Sequence, residues 1–179
     1  IAKIMPTSTR HGRTPNPLVV ALMYDEFCVF EFACVAEVFG LPRPEAGPNW
    51  YTFKTASLNG RNVVGQYGTR MAVDTDVHGL LDAGTVIVPG WRNPEERPPE
   101  ALLQALRRAH ANGARIVSIC SGAFVLAEAG LLDGRRATTH WRYREVFERR
   151  YPGVTFEPDV LYMQEGTVIT SAGSAAGID

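Results

Sequence analysis

The sequence predicts an α/β fold in which a mostly parallel sheet carries helices on both faces. Three observations lead there. Short, nearly unbroken apolar runs recur at residues 18 to 24, 85 to 90 and 115 to 120, as in strands buried on both faces. Stretches with helical spacing of apolar side chains lie between and after them. Strands that alternate with helices build parallel sheets, whose sites form beyond the strands' carboxyl ends. With 179 residues the chain fits one compact domain with a single core.

The elements follow in order. LVVALMY is the first strand, and Phe32, Val35, Ala36 and Phe39 then mark a helix that GLPRP stops. In YTFKTASLNGRNVV, Asn59-Gly60 predicts a hairpin, because both residues tolerate positive φ. TVIVPG is the second buried strand, ending at Pro89-Gly90. Leu102, Leu103 and Leu106 mark a helix running to Asn112-Gly113. RIVSIC is the third strand. SGAFVLAEAGLL after it is apolar nearly all round, which predicts a deeply set helix, stopped by Asp133-Gly134. RATTHW reads as a short strand with His140 at its end. RYREVFERRY is a helix that turns Tyr143, Val146 and Phe147 inward, and VLYMQEGTVITSAG is a hairpin about Glu165-Gly166. Three strand ends therefore frame a site: the segment after Tyr24, Gly90-Trp91, and Cys120-Ser121.

Composition narrows the function. The apolar share is 45% and the charged share 21%, both ordinary for a globular protein. A net charge of -1 supplies no global attraction to nucleic acid or to an anionic membrane. No apolar stretch is long enough to span a bilayer. Residues 1 to 17, IAKIMPTSTRHGRTPNP, lack the apolar core of a secretory signal and read as a loose polar leader before a domain over 18 to 179. Cys28, Cys34 and Cys120 are too few and too scattered for a disulfide framework, so free thiols in a cytoplasmic protein are expected. His11, His78, His110 and His140 show no metal-ligand spacing. No metal and no cofactor are expected. The arginines between 135 and 150 are interrupted by Glu145 and Glu148, the pattern of a solvated helix face.

The chemistry concentrates at Cys120. Ser118-Ile119-Cys120-Ser121-Gly122 has the strand, nucleophile, small-residue and helix order of a nucleophile elbow, with Ser118 where the hydrolase pattern has glycine. The helix start that follows would favour a thiolate, making Cys120 the most reactive of the three thiols. A buried cysteine packed as a small hydrophobe fits the same pattern. His140 is the natural partner, as base or hydrogen-bond partner, or else a histidine satisfied by backbone. Glu31, early in the first helix, either reaches the thiol or faces solvent as a first-turn carboxylate. Gly90 and Trp91 would put backbone N–H groups and a pocket wall opposite the elbow. Cys28 and Cys34 read as core or near-surface thiols.

SICSGAFVLAEAGLLDGRRATTHW together with VLYMQEGTVITSAGSAAGID resembles the amidotransferase-like (ThiJ/PfpI-like) domain at the N-terminus of many AraC-family transcriptional regulators. FEFACVAEVFGLPRP and the VPGW turn fit the same family. The resemblance implies a flavodoxin-like three-layer sandwich, with Cys120, His140 and Glu31 as an active or vestigial catalytic set. Gly90, Trp91, Cys120, Ser121 and His140 would hold a small-molecule effector. It further implies a likeness to ligand-sensing, homodimerising modules that reach DNA only through a C-terminal helix-turn-helix domain. That domain is expected to lie beyond SAAGID, where a helix is just beginning. The alternative within the superfamily is a free-standing cysteine-dependent hydrolase or hydratase. HWRYRE does not supply the His-x-Glu pair of class I glutamine amidotransferases, which argues against glutamine hydrolysis.

Overall fold

The computed structural model describes residues 16 to 47 and 50 to 178, so most of the leader expected over 1 to 17 lies outside the described residues. From Leu18 the chain runs through β1 (Leu18–Leu22), α1 (Val29–Val35) and β2 (Thr52–Ala56). The ribbon strands β3 (Val63–Val64) and β4 (Arg70–Met71) follow, then β5 (Thr85–Pro89), α2 (Glu100–Ala111) and β6 (Arg115–Ile119). The last third holds α3 (Gly122–Glu128), β7 (Arg136–Ala137), α4 (Arg144–Arg150), β8 (Thr155–Phe156), β9 (Tyr162–Glu165) and β10 (Val168–Ser171).

Six strands form the central sheet in the order β2-β1-β5-β6-β10-β9. All neighbours are parallel except β10 and β9, which pair antiparallel as the expected hairpin. The strand order reverses between β1 and β5, and a crevice opens there at the strands' carboxyl ends. Side chains alternate across the sheet. Ile87, Val117 and Ile119 face the side that carries α1. Ser118 lies on the opposite face, against α3.

That opposite face is packed hardest. Every residue from Gly122 to Ala127 is buried, so α3 has no solvent side. Its entry needs glycine: a Cβ on Gly122 would stand 2.3 Å from the Val88 carbonyl oxygen. Phe124 fills the space beneath α4, its ring meeting Phe147 edge-on at 5.1 Å and Tyr143 at 5.9 Å. The helix ends at Glu128 with Gly130 in the left-handed region (φ 72), not at Asp133-Gly134 as expected. Leu131 and Leu132 are buried in the turns that follow. Their apolar character made the helix look longer than it is.

Two further expectations are corrected. Asn59-Gly60 does make a turn, with Gly60 at φ 71, but not a hairpin. β2 pairs with β1, and β3 pairs with β4. The short strand read from RATTHW stops at Ala137 and pairs in parallel with β8, outside the main sheet. The next two residues are tied down by side-chain bonds. The Thr138 amide donates to Thr170 Oγ1 at 2.9 Å, and Thr139 Oγ1 donates to the Cys120 carbonyl at 2.7 Å. These bonds carry His140 to the end of β6.

Candidate functional site

At the end of β6 the chain must reverse within two residues to enter α3. Cys120 takes the strain, at φ 56, a conformation that costs a non-glycine residue on the order of 1–3 kcal/mol. Its N–H donates to the Ser171 carbonyl at 3.0 Å, which holds the elbow on β10. Gly173, itself at φ 89, presses so closely that a Cβ there would lie 2.5 Å from the Cys120 Cβ. Ser121 does not cap α3 with its side chain. Its hydroxyl donates to the Trp91 carbonyl and accepts from the Trp91 N–H, both at 2.8 Å. The turn after β5 is thereby locked onto the elbow.

This lock corrects the expected role of the Gly90–Trp91 backbone. The Gly90 N–H donates to the Val88 carbonyl and the Trp91 N–H to Ser121, so both donors are engaged. Trp91 itself is buried, its indole N–H donating to the Glu96 carbonyl at 3.1 Å. Its ring packs against Tyr24 with centroids 4.9 Å apart.

Cys120, Ser121, Gly90, Trp91, His140 and Glu31 all line one cavity of about 220 Å³. Glu31 does not face solvent: it is 5% exposed, and its Oε2 has no hydrogen-bond partner. His140 starts the short turn Trp141–Tyr143, and its Nδ1 accepts from the Arg142 N–H at 3.3 Å. The ring proton then belongs on Nε2. Burial, together with the Arg142 charge, holds the imidazole pKa below its ordinary value.

The cavity also recruits residues that the sequence reading passed over: Tyr24, Cys28, Arg92, Arg142 and Tyr143. Cys28 sits at the N-cap of α1, three residues before Glu31. On a helix start that spacing turns both side chains the same way, and it was the available signal.

The electrostatics run against an activated thiolate. Burial first, and the Glu31 charge second, push the Cys120 thiol up to about 12, against a smaller lowering by the Ser121 N–H. The seven-residue α3 does not reverse this. Cys28 is raised by burial first and by its hydrogen bond to the Glu31 side chain second. Burial raises Tyr24 well above the usual phenol range and also raises Tyr143. These shifts all favour the neutral forms of the cavity's thiols, phenols and imidazole. Among the described residues no cluster of histidine, cysteine and carboxylate groups is arranged to hold a metal ion.

A crevice at this switch point, closed by a strained cysteine between β6 and α3, can be set beside known proteins. The model of the DJ-1/PfpI family matches residues 18–179. The chain belongs to the DJ-1/PfpI family. Two curated relatives are transcriptional regulators of the helix-turn-helix type from Pseudomonas aeruginosa. CdhR is 36% identical over 72% of this chain, and GbdR is 26% identical over 89%. The chain spans only 38% and 44% of their respective lengths. Among solved structures, an AraC family transcriptional regulator from Pseudomonas putida superposes with a TM-score of 0.76 at 20% identity. The superposition covers 90% of this chain and 86% of that one. At that identity the likeness shows the fold alone, a flavodoxin-like α/β sandwich shared across the DJ-1/PfpI family.

Proposed function

We propose that this chain is the effector-sensing domain of a bacterial AraC-family transcription regulator. In this reading it forms a homodimer in the cytoplasm and reaches DNA through a helix-turn-helix domain elsewhere in the protein. The observation that carries the reading is the match of this DJ-1/PfpI domain to part of the length of two helix-turn-helix regulators. The site supports it. A cavity with Cys120, His140, Glu31, Trp91, Gly90 and Ser121 on its walls suits a small polar molecule. The thiol is pushed up and the two turn amides are engaged, so the wall is better suited to holding a ligand than to attacking one. Among the described residues no helix is long and apolar enough to cross a membrane.

A ligand that binds only the folded state raises its melting temperature. A thermal-shift screen of polar metabolites, repeated on Cys120→Ala, tests the sensor reading, and sedimentation tests the dimer. One feature favours a second reading, the cysteine-dependent hydrolase or hydratase: the strained φ of 56 at Cys120. Turnover of a small substrate that disappears in Cys120→Ala would establish the enzyme instead.

A further inference from the structure

Two segments that line the cavity lie outside the sheet. Gly90, Trp91 and Arg92 belong to the turn after β5, and His140, Arg142 and Tyr143 to the chain entering α4. Connecting segments open more readily than core strands do, so other bonds must fix their geometry. Both are tied to one carboxylate that does not itself line the cavity. Glu128, the last residue of α3, accepts on Oε1 from Arg150 Nη2 at 2.6 Å and from the Tyr151 hydroxyl at 2.8 Å. Its Oε2 lies 3.3 Å from Arg97 Nε. Arg150 turns its other nitrogen to the first segment, Nη1 donating to the Pro94 carbonyl. One guanidinium at the end of α4 therefore spans the turn after β5 and the end of α3.

These bonds are not what attaches α4 or finishes α3. Phe124 already meets the rings of Phe147 and Tyr151. A carboxylate at the last position of a helix stands at the negative end of its dipole, so Glu128 does not serve α3 itself. Apolar contact is non-directional, whereas charge-assisted hydrogen bonds fix distance and angle. What Glu128 adds is the register of the two wall segments. Burial, and then the bond to Glu128, raise the Tyr151 phenol, which keeps it a donor.

The cluster has an inner and an outer part. Arg97 also meets Glu100 at 2.8 Å, and Glu100 takes Arg107, so the charges alternate outward along α2. Side-chain exposure is 16% at Glu128 and 23% at Arg150, but 58% at Arg97. Exposed pairs of the outer kind contribute little. A shielded pair that loses one partner leaves the other charge uncompensated.

We propose that Glu128 is a positioning residue for the cavity, holding α4 through Arg150 and Tyr151 and the turn after β5 through the Arg150 bond to Pro94. The two wall segments thereby keep one arrangement relative to each other. This rests on the effector-sensing reading for the purpose of the cavity and adds what holds its walls.

Amide hydrogen exchange of the ligand-free chain and iodoacetamide alkylation of Cys120 at pH 8, both read by peptide mass spectrometry, test the proposal. In Glu128→Gln, exchange should quicken at least tenfold in residues 92–97 and 140–146, with the β6 amides unchanged. Cys120 should be alkylated at least threefold faster, although Glu128 is not among the residues lining the cavity. Arg97→Gln should change each rate by less than twofold, because that arm is exposed. Arg150→Lys keeps the charge but loses the second donor arm, so exchange should quicken in residues 92–97 and not in 140–146. That variant also decides the matter if Glu128→Gln does not fold: unchanged exchange in residues 92–97 overturns the proposal. Val77→Ala, in the buried turn packed against α2, serves as a loss of stability elsewhere. It should lower the melting temperature and leave both segments and the Cys120 rate as in the parent. Uniformly faster exchange in Glu128→Gln, matched by Val77→Ala, would make Glu128 an ordinary structural tie and overturn the proposal. So would unchanged exchange in either segment, or an unchanged alkylation rate. Both readouts are taken without a ligand, so the sensing reading stands or falls separately, on the metabolite screen.

Discussion

Two strand-to-helix connections build this cavity, and they are made differently. From β6 the chain enters α3 through Cys120 and Ser121 alone, at φ 56, into a helix buried on every side. From β1 it takes the longer path of residues 23 to 28 into α1, which is only partly buried and runs on into the π turn Ala36–Gly40. Both deliver a cysteine to the same space. The short connection fixes its cysteine by backbone bonds to Ser171 and Thr139. The long one brings Glu31, which adds to burial in raising both thiols. Position is set on one side of the cavity and electrostatics on the other.

The strongest way to break this contrast is to empty each side. Phe124→Ala should cost about 3–5 kcal/mol, since the ring is 1% exposed and packed among Tyr143, Phe147 and Tyr151. Phe32→Ala on α1 should cost about 1–2 kcal/mol, because that ring is only partly buried against Phe27 and Phe53. Urea midpoints at unchanged m would measure both. Equal costs would mean that the two helices are not unequal partners.

Backbone room gives the next contrast. Gly122→Ala drives a Cβ into the Val88 carbonyl oxygen, which belongs to the sheet and cannot yield. A loss of about 2–3 kcal/mol is expected. Gly40→Ala, at the end of the π turn, meets the edge of the Phe53 ring at 3.1 Å. That side chain is partly exposed and can shift, so the change should stay within about 1 kcal/mol. Melting temperatures of the two variants compare them directly.

How legible each connection was in the sequence follows the same division. The elbow could be read because tight geometry demands particular residues in a row: an apolar strand, a cysteine, then Ser121 and Gly122. His140 could be found too, although not for the reason given. It is held by the Thr170 side chain on β10 and by the Thr139 hydroxyl donating to the elbow carbonyl, not by a strand. The α1 side hid its roles. Its helix face is loosely patterned, Cys28 sits at a helix start, and Glu31 resembled any first-turn carboxylate until burial was visible. The balance at the Cys120 thiol was only half legible for a related reason. Sequence shows the helix that would stabilise a thiolate, but not the burial and the distant carboxylate that outweigh it.

That balance can be tested at the thiol. Glu31 raises Cys120, so Glu31→Gln should lower its pKa and increase the thiolate fraction at any fixed pH below the transition. One pKa unit gives about ten times more thiolate, and the accompanying loss of nucleophilicity returns roughly a factor of three. A net acceleration of about threefold is expected for Cys120 alkylation at pH 8, read by peptide mass spectrometry. In the parent the rate should keep climbing with pH and show no plateau below about 12. An unchanged rate in Glu31→Gln, or a plateau near pH 8, would restore the activated elbow.

The smallest effect separates the two cysteines by their caps. Cys28 occupies the N-cap of α1 with extended backbone (φ -74, ψ 117), the geometry a capping residue needs, yet it makes no side-chain cap bond. The amides of Phe30 and Glu31 already lean toward its sulfur and draw its pKa down slightly against the larger effect of burial. A hydroxyl accepts such bonds better than a thiol does. Cys28→Ser should therefore stabilise the chain, by about 0.5 kcal/mol. At the elbow the same exchange has no comparable donor to gain, because the first turn of α3 is entered through Ser121 and the Cys120 backbone is already bonded to Ser171 and Thr139. Cys120→Ser should leave the melting temperature unchanged or lower it. If serine stabilised both positions equally, the two connections would be equivalent as helix entries, and the division between a fixed side and an adjustable side would not hold.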